Sequence, residues 1–188
     1  MANFLDAYKV VMGNEGGYVN DPQDSGGETF AGVSRNNFPQ WRGWKIIDSY
    51  KQKPNFPASL SKDTDLESAV QEFYKQNFWD ALSLDYVKDY RLALELFDTA
   101  VNCGVKTSGR FAQIALNVLN QNQKLYLDIE EDGLIGPQTL RLINNHTKPA
   151  ALLKVLNVLQ GARYIEISKS NHTQEKFMNA WLSRVSLN

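Results

Sequence analysis

Glu15 stands directly before Gly16 and Gly17, at the end of an apolar stretch that carries Phe4, Leu5, Tyr8, Val11 and Met12. A carboxyl group in that position borders open backbone rather than packed side chains, which is how a cleft carboxylate is presented. Set among aromatic neighbours such as Tyr18 and Phe30, a half-buried Glu keeps its proton to higher pH and can deliver it to a leaving oxygen, the general-acid step of glycosidic cleavage. That chemistry needs a second group to handle water or stabilise the oxocarbenium-like transition state, and Asp21, Asp24, Glu28 and Thr29 follow within one loop. The same residue types also make Asx turns and caps in Gly-rich loops.

The elements that must position these groups are mostly helical. Apolar spacings of three and four predict a helix over 3–13, and Gly13-Asn14 stops it. The stretch from Glu15 to Ser34 is rich in Gly, Asp, Asn and Pro, and reads as an active-site loop or a short β-hairpin near 18–33. Helical periodicity returns at 34–52, where Pro39, Gly43, Pro54 and Pro57 divide it into short pieces. A stronger helix is expected over 63–78, with Ser61 or Asp63 as N-cap and Leu66, Ala69, Val70, Phe73 and Phe78 as its apolar stripe. Further helices are expected at 90–103, ended by Gly104, at 107–120, after Pro137, at 148–169 and at 174–185. The fold class is mainly α, with seven or eight helices and at most one short hairpin. Phe177, Trp181 and Arg184 fall at i, i+4 and i+7 and should lock the last helix onto the body.

Composition narrows the partners. Of 188 residues 43% are apolar and 22% charged, the balance of a folded globular chain. Twenty Lys and Arg face 21 Asp and Glu, so no global charge recruits nucleic acid. The charge is uneven: residues 141–188 hold seven basic and two acidic groups, residues 1–35 two basic and five acidic. A single cysteine, Cys103, excludes an internal disulfide and argues against a multi-cysteine zinc site; it reads as a buried free thiol. His146 and His172 suggest neither a metal site nor a base for a Cys nucleophile. Asp128, Glu130, Asp132 and Gly133 occupy EF-hand positions, but position twelve is Thr139 rather than the bidentate Glu, so no metal and no cofactor are expected. The N-terminus lacks a signal-peptide pattern and no run of 18 apolar residues occurs, so synthesis in the cytoplasm without stable membrane insertion is expected.

The run Glu15-Gly16-Gly17-Tyr18, with Asn20-Asp21, Asp24, Gly26-Gly27, Thr29, Gly32 and Ser34, resembles the N-terminal signature of the glycoside hydrolase family 108 muramidases. That family includes phage endolysins and secretion activator proteins. The resemblance implies a lysozyme-like helical fold and Glu15 as the catalytic acid. The nine-residue step from Glu15 to Asp24, followed by Thr29, is also similar to the Glu, Asp and Thr trio of phage-type lysozymes, although Thr29 falls one residue early. It favours Asp24 as the helper and Thr29 as the water-positioning group. Further on, Asp98-Thr99-Ala100-Val101-Asn102-Cys103-Gly104 and Asp132-Gly133-Leu134-Ile135-Gly136-Pro137-Gln138-Thr139 resemble the predicted peptidoglycan-binding region that accompanies this signature.

The expected organisation is therefore a catalytic region over 1–90 and a helical peptidoglycan-binding region over 91–188. The expected activity is hydrolysis of the β-1,4 bond between N-acetylmuramic acid and N-acetylglucosamine; lytic transglycosylation and non-catalytic wall binding are the alternatives. Glu15, Asp24 and Thr29 are the catalytic candidates. Tyr18, Asp21, Ser34, Tyr74 and Trp79 are the substrate-binding candidates, with core packing the competing role for Tyr74 and Trp79. Trp41, Trp44 and Trp181 are further aromatic walls. Glycan strands are the expected partner, acted on in the bacterial cell wall (the periplasm), and a holin or secretion system the expected route there.

Overall fold

Local chemistry sets several of the helix ends. Asp63 caps the helix over Thr64–Tyr74 by accepting a hydrogen bond from Leu66 N at 2.8 Å, and Asp89 caps the one over Tyr90–Cys103 from Arg91 N at 2.9 Å. Gly104, at φ 93°, ends the latter in a backbone region that side chains disfavour, and Pro137 opens a later helix where no N–H is needed. The structure, a computed structural model, describes residues 2–13, 17–20 and 27–186.

Among the described residues there are eight α-helices: α1 (Phe4–Met12), α2 (Gly43–Tyr50), α3 (Thr64–Tyr74), α4 (Tyr90–Cys103), α5 (Val105–Val118), α6 (Pro137–Asn145), α7 (Pro149–Ser170) and α8 (Met178–Leu182). Three short strands, β1 (Tyr18–Asn20), β2 (Glu28–Phe30) and β3 (Val33–Ser34), form one antiparallel sheet in the order β1-β2-β3. The mainly α class is as expected, and the anticipated hairpin carries a third strand. Two expected helices differ in extent. Over 34–52 only Gly43–Tyr50 is helical, and the expected last helix divides into a 3₁₀ segment, His172–Phe177, and α8. Among the described residues no helix is long and apolar enough to cross a membrane.

The chain forms two compact units, one of Met1–Ala7 with Phe78–Asn188 and one of Tyr8–Asn77. The division therefore falls inside α1 and inside the π-helical turn Lys75–Trp79 that follows α3.

In the first unit α4 packs against α5 and α7. Small residues on α5 allow close approach: Ser108 donates to Leu96 O at 2.7 Å, and a Cβ at Gly109 would collide with the Gly133 carbonyl. The Asp132-Gly133 turn is fastened to α5 through Gln113, which donates to Asp132 Oδ1 at 2.6 Å and accepts from Gly133 N at 2.7 Å. Phe4, Trp79 and Phe97 meet edge to face, with centroids 5.5–5.9 Å apart. The C-terminal segment is locked as its spacing predicts: Trp181 stacks on Tyr164 at 5.2 Å and Arg184 pairs with Asp98 at 2.7 Å. Burial pushes the Cys103 thiol up to about 11, which keeps it unreactive at neutral pH. The second unit has its own core of Val33, Trp44, Ile47, Leu60, Leu66 and Val70.

Candidate active site

The sheet is the part of the candidate site that the structure describes. Tyr18 pairs with Phe30, Val19 with Thr29 and Asn20 with Glu28; Thr29 also pairs with Ser34, and Phe30 with Val33. Directly opposed residues share a face. Thr29 and Ser34, which follow the Gly-Gly-Tyr motif by 11 and 16 residues, are therefore brought side by side with Val19. Tyr18 lies on the opposite face with Glu28, Phe30 and Val33. The sequence candidates thus divide between the two sides of one small sheet.

On the Thr29 face, the Thr29 hydroxyl donates to Gly27 O at 3.1 Å. With its proton committed there, the oxygen presents lone pairs outward and can accept a hydrogen bond from water or a sugar hydroxyl. Ser34 is buried, and its hydroxyl oxygen accepts from Asn37 N at 3.3 Å. That bond fixes the chain as it leaves β3.

The Tyr18 face carries a charge network that reasoning along the sequence missed. Glu28 meets Arg35 Nε at 2.6 Å through one oxygen and Lys51 Nζ at 2.8 Å through the other. Asp48 then bridges both cations, accepting from Arg35 at 2.7 and 3.1 Å and lying 2.9 Å from Lys51. The Arg35 guanidinium also lies 4.3 Å over the Trp44 ring. The hydrogen bond from Arg35, together with Lys51, holds the Asp48 carboxyl below the usual carboxylate range against the effect of burial. Burial first, then a hydrogen bond to Glu28, raises the Tyr18 phenol above its ordinary value. Both Glu28 oxygens are engaged by cations, so this carboxylate serves the sheet and is not placed to activate water. Asp48 in the last turn of α2 and Lys51 just after it, three apart, were a visible hint of a shared surface; their meeting with Glu28 depends on the tertiary fold.

Tyr74 and Trp79 require a correction. Tyr74 is buried and donates to Ala31 O at 2.9 Å. Ala31 and Gly32, at φ 46° and 77°, form the two-residue turn between β2 and β3, and a Cβ at Gly32 would run into the Tyr74 hydroxyl. Tyr74 thus supports the turn that carries Thr29 and Ser34 and does not line a sugar path. Trp79 has no exposed surface and donates from its indole N–H to Asp85 Oδ1 at 2.7 Å, so it is core. Trp44 is likewise buried, with its N–H on Phe38 O at 2.8 Å, whereas Trp41 is half-exposed. Glu15, Asp21 and Asp24 lie outside the described residues.

Residues 8–104, more than half of the chain, match the family described as Glycosyl hydrolase 108. The chain belongs to the glycosyl hydrolase 108 family. Residues 110–186 match a second family, described as Predicted Peptidoglycan domain. This glycosyl hydrolase 108 protein is similar in fold to Brucella abortus SagA, with a TM-score of 0.66 and 22% identity over 97% of this chain and 88% of that one. No curated protein sequence matches it.

The family and the associated domain together make it a glycoside hydrolase that acts on peptidoglycan. The family match spans the whole sheet, Glu15 and the charge network. The two family matches meet between residues 104 and 110, while the compact units divide at 77 and 78; the expected boundary at 90 and 91 lies between these markers.

Proposed function

We propose that this glycosyl hydrolase 108 enzyme is an N-acetylmuramidase that cleaves the β-1,4 bond between N-acetylmuramic acid and N-acetylglucosamine, with Glu15 as general acid. The observation that carries the proposal is the family match over residues 8–104, taken with the position of Glu15 in the sequence. Helix α1 ends at Met12, Gly13 follows at φ 51°, and two residues later comes Glu15, ahead of the Gly-Gly-Tyr that leads into β1.

In this scheme protonated Glu15 gives its proton to the glycosidic oxygen as the bond to the anomeric carbon breaks. Water adds to that carbon, and its proton passes to a carboxylate, for which Asp24 is the first choice. Thr29 accepts a hydrogen bond from the water, a role supported by the commitment of its own proton to Gly27 O. Asp21, from the same stretch of sequence, completes the proposed substrate surface; Ser34 is buried beside Thr29 and Tyr18 lies on the other face of the sheet, so both support that surface rather than line it. We assign the chemistry to residues 1–90 and wall contact to residues 91–188.

Glu15→Gln keeps the shape of the side chain and removes the acid. Release of reducing ends from purified peptidoglycan should fall by about 10²–10⁴-fold while the circular dichroism spectrum is unchanged. Activity within a few-fold of the parent enzyme would sink Glu15 as the acid. Mass spectrometry of the digest should find hydrated reducing ends on muramic acid; 1,6-anhydro ends would replace hydrolysis with transglycosylation.

A further inference from the structure

Within the unit Tyr8–Asn77, a groove of about 490 Å³ runs between the segment 37–42 and the end of α3 with the π-helical turn after it. Small-molecule sites commonly occupy roughly 300–1,000 Å³. Thr29, the described residue among those assigned above to cleavage, does not line it.

Its floor is aromatic. Phe38 is exposed and meets the buried Phe73 edge-on at 4.7 Å, and the half-exposed Trp41 meets Phe73 at 6.3 Å. Trp41 is held firmly: its indole N–H donates to Ala69 O at 3.1 Å and its ring abuts Trp44 at 5.1 Å. A side chain at Gly43 would overlap the Trp41 ring, so the glycine is what admits the indole in this pose. A ring fixed in this way binds without losing side-chain freedom.

The walls are carboxamides. Asn37 and Gln40 stand on one side, Gln76 and Asn77 on the other. Gln76 donates to Glu72 Oε1 at 3.1 Å and Asn77 donates to Phe73 O at 2.8 Å, which orients both amides by their nitrogens. Gln76 and Asn77 lie in the π-helical turn, a departure from α geometry that often occurs at functional sites. Among the described residues the charged groups at the groove are Arg42 and Glu72, and they pair with each other at 2.9 Å.

This chemistry selects a particular kind of sugar. Fixed aromatic edges and faces suit the apolar C–H face of a pyranose and the methyl of an acetamido group. Carboxamides offer both donors and acceptors to the acetamido N–H and C=O. Because Arg42 and Glu72 neutralise each other, the groove offers no uncompensated cation to the lactyl or stem-peptide carboxylates of muramic acid. Resting on the reading of this chain as an enzyme of glycan strands, we propose that the groove is a subsite for an N-acetylglucosamine residue.

The test is binding to the full-length chain carrying Glu15→Gln, so that affinity is read without turnover and separately from the role of Glu15. Titration with chitotetraose, followed by ¹H–¹⁵N NMR, should give saturable shifts of the Trp41 indole and of the Gln76 and Asn77 side-chain amides. Adding Gln40→Ala and Gln76→Ala, both exposed positions, should weaken Kd about tenfold with an unchanged Tm. Cellotetraose, which lacks the acetamido group, should bind at least about tenfold more weakly. An unchanged Kd in the double variant, or equal affinity for the two oligosaccharides, would overturn the proposal.

Discussion

Two carboxylate clusters, one in each compact unit, are both built around an arginine and solve different problems. In Tyr8–Asn77, Glu28, Arg35, Asp48 and Lys51 form a ladder beside the sheet that runs from a Glu28 side chain only 10% exposed to Asp48 and Lys51 at 47% and 37%. In the helical unit, Asp98 lies between α4 and α7, accepts from Gln160 at 2.7 Å, and pairs with Arg184 at 2.7 Å, all with little exposure. Its neighbour Glu95 is buried as well and accepts a weak bond from Thr99 at 3.4 Å. Strands of two and three residues bury little apolar surface by themselves, so the sheet is cross-linked by charges that keep part of their hydration. Three packed helices exclude water, and every polar group between them must find a partner or lose stability. The outer end of the ladder, Asp48 with Lys51, is thus a marginal stabiliser, whereas Asp98 is an essential partner.

The difference predicts unequal mutational costs. Asp98→Ala removes the carboxylate that Arg184 and Gln160 share inside the helical unit, and unfolding free energy from urea titration should drop by about 3–5 kcal/mol. A loss below about 1 kcal/mol would put the two clusters on the same footing.

The next effect is on pH dependence. Burial first and then Asp98 push Glu95 up to about 7, opposed by hydrogen bonds from Thr99 and Asn157. Because the folded value lies above the unfolded one, the folded state holds the proton more tightly. The resulting stability is full below the ordinary Glu value and is lost as pH rises through about 7. Between pH 4.5 and 8 the helical unit should lose on the order of 2–3 kcal/mol from this group, and Glu95→Gln should flatten that slope. An unaltered slope in Glu95→Gln would remove Glu95 as its source.

The smallest effect belongs to the sheet. Asp48→Asn should cost about 0.2–1 kcal/mol, diminishing as salt is raised. The lowered Asp48 pKa gives the opposite pH trend: its contribution is present above the ordinary carboxylate range and lost as pH falls through the folded value. A cost above about 2 kcal/mol, insensitive to salt, would mean that the exposed ladder behaves like the buried one.

Much of this molecule was legible along the chain because the signals are local. Asp63 as a cap, Gly104 as a stop and Pro137 at a first turn each depend on residues a few positions apart, as does the 177, 181, 184 spacing, although what that face locks onto, Tyr164 and Asp98, is distant in sequence. The turn between β2 and β3 was foreshadowed by the Gly-rich stretch, although Ala31 shares its positive φ with Gly32. The site was less legible. Thr29 and Ser34 did come together, since strand pairing over a two-residue turn is itself local. Tyr74 and Trp79 were misjudged because an aromatic at the end of an apolar helix reads the same whether it lines a cleft or fills a core. Burial separates the two, and burial is set by what folds over the ring.

The sequence by itself determined the helical class, several helix ends, the Gly-rich turn region and the family signature around Glu15, all of which are written in short-range spacing and residue type. Tertiary structure alone decided that Glu28 meets Arg35 and Lys51, that Gln160 faces Asp98 across 62 positions, and that Trp41 and Gln76 border one groove. Those outcomes are long-range. A polar side chain's partner depends on which elements pack together, and no local periodicity encodes that choice; it is made when the helices close and each buried donor has to find an acceptor.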